Sequence, residues 1–496
     1  MRRPEGRTSV ALAAATLLLA GCTLTGNNPD PTPTPSATPR PFTVMSTDQV
    51  RVTDPAAMTD SASSMLALNV FQRLMTADPG TSAPKPDAAR DCIFTTPTTY
   101  TCTLNEEQQF HNGHALTSSD VKFSIQRAAR LDVKGSSASL LSSLRRIETP
   151  DPLTVRFLLS RVDTQFVWAL AAPAASIVDE ELYDADRVRS PEEPIVGSGP
   201  FSVTSYQPDA IAFARYPDYI GRTPGRIDEL VYRSVADSAT IEDAMNRGLV
   251  EVVWRGLDDA ALTRLSSQTV DNPDEVTANG FRQQVLTGTR VQQLVWSPEA
   301  RSRSNRPLRE AITTALQGDR TSDSVVPGGV PGHVAAFPLG GKANPEVTWN
   351  QRITLTLGYD STIPDGRDTA TQIRTRLEDT GGLSVRLRPD EVGDLTLVDR
   401  KAWTATALAW LQPYLDAPLP ASADDVASTV ITFRGTYDEG EALQLLASLQ
   451  RQAAADDVLL PVTQSDEYLY TRDGAEISPL SFGPGWQLGL FGITRG

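Results

Sequence analysis

Polar and apolar residues alternate in several short windows of the chain, and in others they recur at helical spacing. Val155, Phe157 and Leu159 alternate with polar neighbours and predict a strand; Tyr100, Cys102 and Leu104 do the same between threonines. Phe42–Met45, "IDELVYRSV" and "LVEVVW" read as further strands, and "VGSGPFSVTSYQPDAIAFARY" as two strands around Gln207-Pro208. Helical spacing appears in "SASSMLALNVFQRLM", where Ser61 is a candidate cap and Met65, Leu68, Phe71, Leu74 and Met75 share one side. Thr117 and Asp120 form a capping box ahead of Val121, Ile125, Ala128 and Ala129. "SATIEDAMNRG" is a helix ended by Gly248.

The C-terminal half repeats these units. Val291–Trp296 is a strand. "NRPLREAITTALQG" is a helix with Pro307 in its first turn and a face of Leu308, Ala311, Ile312 and Ala315. "ITLTLGY", "RDTATQIRTRLEDTGG" and "LSVRLRP" make a strand–helix–strand unit with an expected right-handed crossover. An apolar strand is expected at Thr404–Ala409, delivering Trp410 and the aromatic, proline-rich "LQPYLDAP". A long helix over "DEGEALQLLASLQRQAAADD" and two strands, "VLLPV" and "DEYLYTR", follow. The pattern is that of an α/β protein with mixed sheets and helical cover.

The N-terminus has a different character. Arg2 and Arg3 precede an uncharged run, Val10–Ala20, too short for the roughly 20 residues a spanning helix needs. That is the layout of a signal peptide, expected over residues 1–21. The run ends in Leu19-Ala20-Gly21-Cys22, which resembles a bacterial lipobox and implies lipidation of Cys22. Residues 22–41 contain "NNPDPTPTPSATPRP", a proline-rich tether whose composition favours an extended, unpacked chain. About 455 residues then remain for the body, enough for two or three domains.

The 496-residue chain has a formal net charge of −16, which argues against nucleic acid and anionic lipid surfaces as partners. Of its three cysteines, Cys92 and Cys102 remain once Cys22 is set aside. An even pair in an exported protein, placed on the two arms of a candidate hairpin, points to a disulfide, with two buried thiols as the alternative.

Several segments, in order, resemble one family: the dipeptide- and oligopeptide-binding (peptide/nickel) type of extracellular solute-binding proteins of ABC importers. The most specific is Thr99–Ile125, with Phe110, His111, Asn112, Gly113, Asp120, Val121, Phe123 and Ser124 at the family's spacing. "NVFQRLM", "GSGPF" (Gly197–Phe201), "RYPDYIG" and "RPLREAITTALQGDR" match further stretches. The resemblance implies a bilobal periplasmic-binding-protein-like fold. Lobe one is expected over 42–70, 190–284 and 464–496, an inserted subdomain over 71–189, and lobe two over 285–463, with hinge crossings near 285 and 464. It also implies a lipid-anchored protein on the extracytoplasmic face of the bacterial membrane, a monomer that captures a peptide or other small solute between its lobes and delivers it to permease subunits. A non-transport sensor or envelope scaffold of the same fold is the alternative.

In peptide-binding members a strand-end Trp is followed three residues on by an Asp that pairs with the ligand ammonium. Trp410 is taken as that Trp, and Pro413 then stands where the Asp belongs. Trp410, Tyr414 and Asp416 are candidate ligand contacts, as are Ser46 and Asp48 after the first strand, where open α/β folds meet ligands. Trp403, Trp296 and Trp486 are weaker candidates, read as core. His111 and His114 could suggest metal, but Asn112-Gly113 between them is a turn signal, and packing is the favoured reading. No cofactor or metal is expected. Gly197-Ser198-Gly199 lacks the flanking pattern of a nucleophile elbow, and no Walker loop or zincin motif occurs, so an enzyme is not expected.

Overall fold

The computed structural model of the chain describes residues 40–78, 83–341, 352–361, 363, 365–400, 406–478 and 480–495. Its spine is one ten-stranded sheet. From one edge the strands are Leu383–Pro389, Ile353–Tyr359, Leu395–Arg400, Phe281–Trp296, Leu459–Arg472, Val252–Trp254, Phe42–Ser46, Glu229–Ser234, Ala210–Arg215 and Phe201–Gln207. Two parallel patches lie in it. In one, Ile353–Tyr359 runs parallel to both its neighbours; in the other, Phe42–Ser46 does. Between them run the two longest strands, Phe281–Trp296 and Leu459–Arg472, antiparallel to one another. Sheet continuity through this pair makes Pro41–Gly496 one compact unit.

The register of the long pair shifts twice, between Gln292 and Gln293 and, more widely, between Leu286 and Arg290. Leu286 faces Glu467 and Arg290 faces Ser465, so three residues of one strand oppose one of the other. Gly288, at φ +61°, sits in this bulge, where its lack of a Cβ permits the left-handed backbone. The bulge separates two cores. Trp296, Ile312, Leu357 and Leu459 pack in one, and Phe42, Met65, Trp254 and Leu469 in the other, giving a bilobal α/β fold. A third core lies under an antiparallel four-stranded sheet ordered Ala89–Thr96, Thr99–Leu104, Thr154–Leu159, Leu144–Asp151. Cys92 and Cys102 face each other in it and form a disulfide. The capping box forms as expected: Thr117 and Asp120 start the helix Ser118–Leu131.

Several expectations need correcting. Asp60, not Ser61, caps the first helix, which ends at Val70; Phe71, Leu74 and Met75 are buried beyond it. Ala129 is exposed, while Ser124 and Arg127 turn inward. Arg127 is buried because it forks onto Asp54 (Nη1 to Oδ1, 2.9 Å) and donates to the Asp184 and Arg187 carbonyls. "VLLPV" and "DEYLYTR" are one strand. The expected strand at Thr404–Ala409 lies partly outside the described residues, and Ala407–Asp416 is a helix. The strand in this region comes earlier, at Leu395–Arg400, where Leu395 and Leu397 alternate inward. Two long helices went unforeseen, Asp259–Asp271 and Ala423–Gly435. Few of their residues are buried, Ala261 and Leu265 in the first and Val426, Phe433 and Arg434 in the second, so neither carries a full apolar stripe.

Candidate functional site

A groove of about 880 Å³ runs between the two halves. One wall is built by residues 48–62 with Gln487, the other by segments around 295–299, 359–363, 390–400 and Pro413. Most of the groove's polar groups sit where strands end. Asp48 and Gln49 follow Phe42–Ser46, Ser297 and Glu299 follow Phe281–Trp296, and Asp360 follows Ile353–Tyr359. Asp390 follows Leu383–Pro389, and Asp399 and Arg400 close Leu395–Arg400. At a strand's carboxyl end the ladder stops, and side chains are released toward the crevice while their backbone is still held by the sheet.

Seven carboxylates but only three cationic side chains line the groove, which by count alone would favour a cationic guest. Five of those carboxylates already hold partners within the protein. Asp48 accepts from Arg255 Nη1 (3.2 Å), and the same guanidinium donates to Ser61 Oγ (2.6 Å) and to Glu467 Oε1 (2.8 Å). Asp399 accepts from Arg290 Nε (2.8 Å). Asp60 caps its helix through Ser63 N (2.8 Å), and burial raises its carboxyl above the ordinary value. Asp390 holds the Ser361 amide and hydroxyl (2.9 and 2.7 Å), and Glu299 accepts from Ser297 Oγ (2.8 Å).

Arg400 is the contrasting case. Its guanidinium is pressed into the wall, and burial pulls it down to about 10, with Asp416 opposing the shift. It remains charged at neutral pH. Nε and Nη2 both donate to the Ala409 carbonyl oxygen, at 3.0 and 2.7 Å. No carboxylate among the described residues lies within ion-pair distance of it.

Of the residues singled out in the sequence, Asp48 lines the groove. Ser46 is fully buried one residue pair away, and its Oγ accepts the Asp48 amide at 3.0 Å, so it shapes the turn instead of facing the guest. Trp410 and Tyr414 belong to the lobe core, at 0% and 1% exposure. They point inward because they ride the buried face of the helix Ala407–Asp416; the Trp410 carbonyl accepts from Gln293 Nε2 (3.1 Å) and the Tyr414 hydroxyl donates to Asp456 Oδ2 (2.6 Å). Asp416 accepts from Gln412 Nε2 (2.5 Å) outside the groove. Trp410 is therefore not a strand-end residue, and reading Pro413 as a replaced ammonium handle loses its premise. Pro413 itself does line the groove. Trp296 is on the wall but 2% exposed, Trp486 packs edge-on against Phe482, and Trp403 and Cys22 lie outside the described residues.

The histidines have separate roles. His111 Nε2 donates to the Gly199 carbonyl (3.0 Å) and its Nδ1 accepts the Gly197 amide (3.3 Å), a neutral tautomer that burial holds down at about 4. His114 Nδ1 meets Asp179 Oδ2 at 2.7 Å. The sequence reading missed Arg51, Asp60, Tyr359, Asp360, Asp390 and Arg400. The signal that could have found most of them is the strand-end position, applied there only to Ser46–Asp48.

Comparison with known proteins places this geometry. Glutathione-binding protein GsiB of Salmonella paratyphi A is 26% identical over 191 residues, 38% of this chain and 36% of that protein. Di/tripeptide-binding protein 4 of Pseudomonas aeruginosa is 32% identical over 196 residues, 34% of this chain and 36% of that one. The chain thus spans little more than a third of the length of these curated relatives. In fold the likeness is nearly complete. Helicobacter pylori DppA, solved with the peptide STSA, superposes with a TM-score of 0.78 at 17% identity, over 92% of this chain and 98% of that one. AgaA of A. tumefaciens R10, solved with agropinic acid, gives 0.79 at 19% identity, over 92% and 99%. The family description "Bacterial extracellular solute-binding proteins, family 5 Middle" matches residues 83–360, more than half of the sequence. The chain belongs to the family 5 bacterial extracellular solute-binding proteins.

Proposed function

We propose that the protein is the lipid-anchored receptor of an ABC importer and that it holds a peptide or peptide-like solute, carrying an anionic group, in the groove between its lobes. The observation that carries this reading is Arg400, a charged guanidinium on the groove wall with no carboxylate among the described residues at ion-pair distance, beside carboxylates that already hold partners. A buried cation is stabilised by an anion, and a guanidinium edge matches a carboxylate in a bidentate pair. Relatives named for glutathione and for di- and tripeptides are consistent with such a guest. The groove volume lies in the range of small-molecule sites.

The lobes are proposed as 42–70, 190–284 and 464–496 for the first, 285–463 for the second, and 71–189 for the insert. The separate cores and the bulge at Gly288 support a hinge near 285 and 464. Closure about that hinge would give the permease a ligand-dependent shape to read. Cys22 is proposed as the lipid site and residues 22–41 as the tether; among the described residues no helix is long and apolar enough to cross a membrane.

Titration calorimetry with glutathione, a set of tri- and tetrapeptides, and their C-terminally amidated forms tests the reading. Saturable binding that weakens on amidation is expected. Equal binding of acid and amide forms would remove the role given to Arg400, and no binding by any of them would remove the peptide-like class.

A further inference from the structure

Pro413 stands in the interior of the helix Ala407–Asp416, where it is normally unfavourable. Proline has no N–H, so the carbonyl four residues back loses its helical donor. That carbonyl belongs to Ala409. It is the same oxygen that receives both Nε and Nη2 of Arg400, at 3.0 and 2.7 Å. Arg400 and Pro413 both line the groove. A residue that breaks a helical bond and a residue that uses the freed acceptor therefore meet on one wall.

We propose that Pro413 is a positioning residue: by freeing the Ala409 carbonyl it creates the acceptor that clamps one edge of the Arg400 guanidinium and turns the other edge, Nη1 with Nη2, toward the guest. The clamp fixes which donors remain. Nε and one hydrogen of Nη2 are held, and the fork that is left has the geometry that accepts two oxygens of one carboxylate or phosphate. A carbonyl is a neutral acceptor, so it orients the guanidinium without neutralising it. An Asp or Glu in its place would orient it equally well and abolish its appetite for an anion. The charge of Arg400 is thus kept for the ligand, at the expense of helix regularity. The inference rests on the solute-receptor reading for its binding consequence only; the clamp is a property of the protein alone.

The variant Pro413→Ala restores an N–H to the helix, lets Ala409 take back its helical bond and releases Arg400. Two measurements on the full chain in mild detergent separate the outcomes. The first needs no ligand: nitrogen-15 spectra of the arginine Nε–H groups, with Arg400 assigned by its loss in Arg400→Lys. In the wild type the Arg400 Nε–H resonance is expected to be protected from solvent exchange; in Pro413→Ala that protection falls by tenfold or more while the melting temperature holds or rises, as expected when a proline leaves a helix interior. The second uses glutathione and its amidated form as probes. Pro413→Ala is expected to narrow the acid-over-amide preference by about tenfold, with Arg400→Lys narrowing it in the same direction. Unchanged Nε–H protection in Pro413→Ala overturns the clamp. Lost protection with an unchanged acid-over-amide preference overturns its role in recognition. If neither probe binds wild type, the receptor reading fails for this ligand class and the first measurement still decides the clamp. Should Pro413→Ala not fold, Pro413→Ser serves for both.

Discussion

The segments Phe110–Ser124 and Leu395–Asp416 both hold polar and aromatic residues with conspicuous chemistry, and the structure arranges them differently. In the first, every group with conspicuous chemistry is turned on the protein itself. His111 ties the Gly197–Gly199 turn, Asn112 and His114 grip Asp179, Thr117 and Asp120 cap a helix, and Ser124 bonds the Val178 amide at 2.8 Å. In the second, a proline that a helix should reject leaves a carbonyl open, and a guanidinium reaches the groove through it. Where local rules agree with one another, the segment is frame. Where one is broken and the break is used, as proposed for Pro413, the segment is a candidate site.

The largest effect that sharpens this contrast comes from the frame. Arg127→Met leaves Asp54 buried without its guanidinium and should lower unfolding stability by about 3–5 kcal/mol in chemical denaturation, with ligand preference intact in the protein that remains folded. Next is a pH effect. Because the folded His111 sits near 4 against an ordinary 6.5, the unfolded chain takes up the proton first as pH falls. The stabilisation is whole above about pH 6.5 and is lost toward pH 4, a change of roughly 3 kcal/mol that His111→Gln should lack; equal pH profiles for the two would contradict the neutral, buried ring.

A third test stays in the inserted sheet. Replacing Cys92 and Cys102 together by serine opens a short loop, separation 10, and should lower stability by about 2–3 kcal/mol, read as a shift in denaturation midpoint. The smallest effect is the most discriminating for the site. Arg400→Ala should weaken binding of an acidic probe by about 2 kcal/mol, whereas Asp416→Ala, which lies off the groove, should change it by less than about 0.5 kcal/mol. A loss at Asp416 equal to that at Arg400 would return the site to the sequence-stretch in which the Trp and Tyr were first singled out.

Much of the frame was legible because its signals are local. A capping box, a strand alternation in Tyr100, Cys102 and Leu104, and Pro307 in a first turn each specify an element within a few residues. The segment 395–416 was read one element late because "LTLVDR" ends in two charges and resembles a loop, while "ALAWLQPYLD" has the apolar density of a strand and a proline that argues against helix. With the strand misplaced, Trp410 and Tyr414 became pocket aromatics when they are helix core. Arg400 was invisible for a different reason: the role proposed for it rests on there being no carboxylate among the described residues at ion-pair distance, and partners are set by tertiary packing that no spacing rule encodes.

The central claim is that the groove holds a small solute through an anionic group on it. Mass spectrometry of the solute released from gently purified full-length chain tests it most directly, with Arg400→Ala processed in parallel. The account predicts a small acidic, peptide-like solute recovered in near-stoichiometric amount from the wild type and largely absent from the variant. A neutral or cationic solute retained equally by both would contradict it.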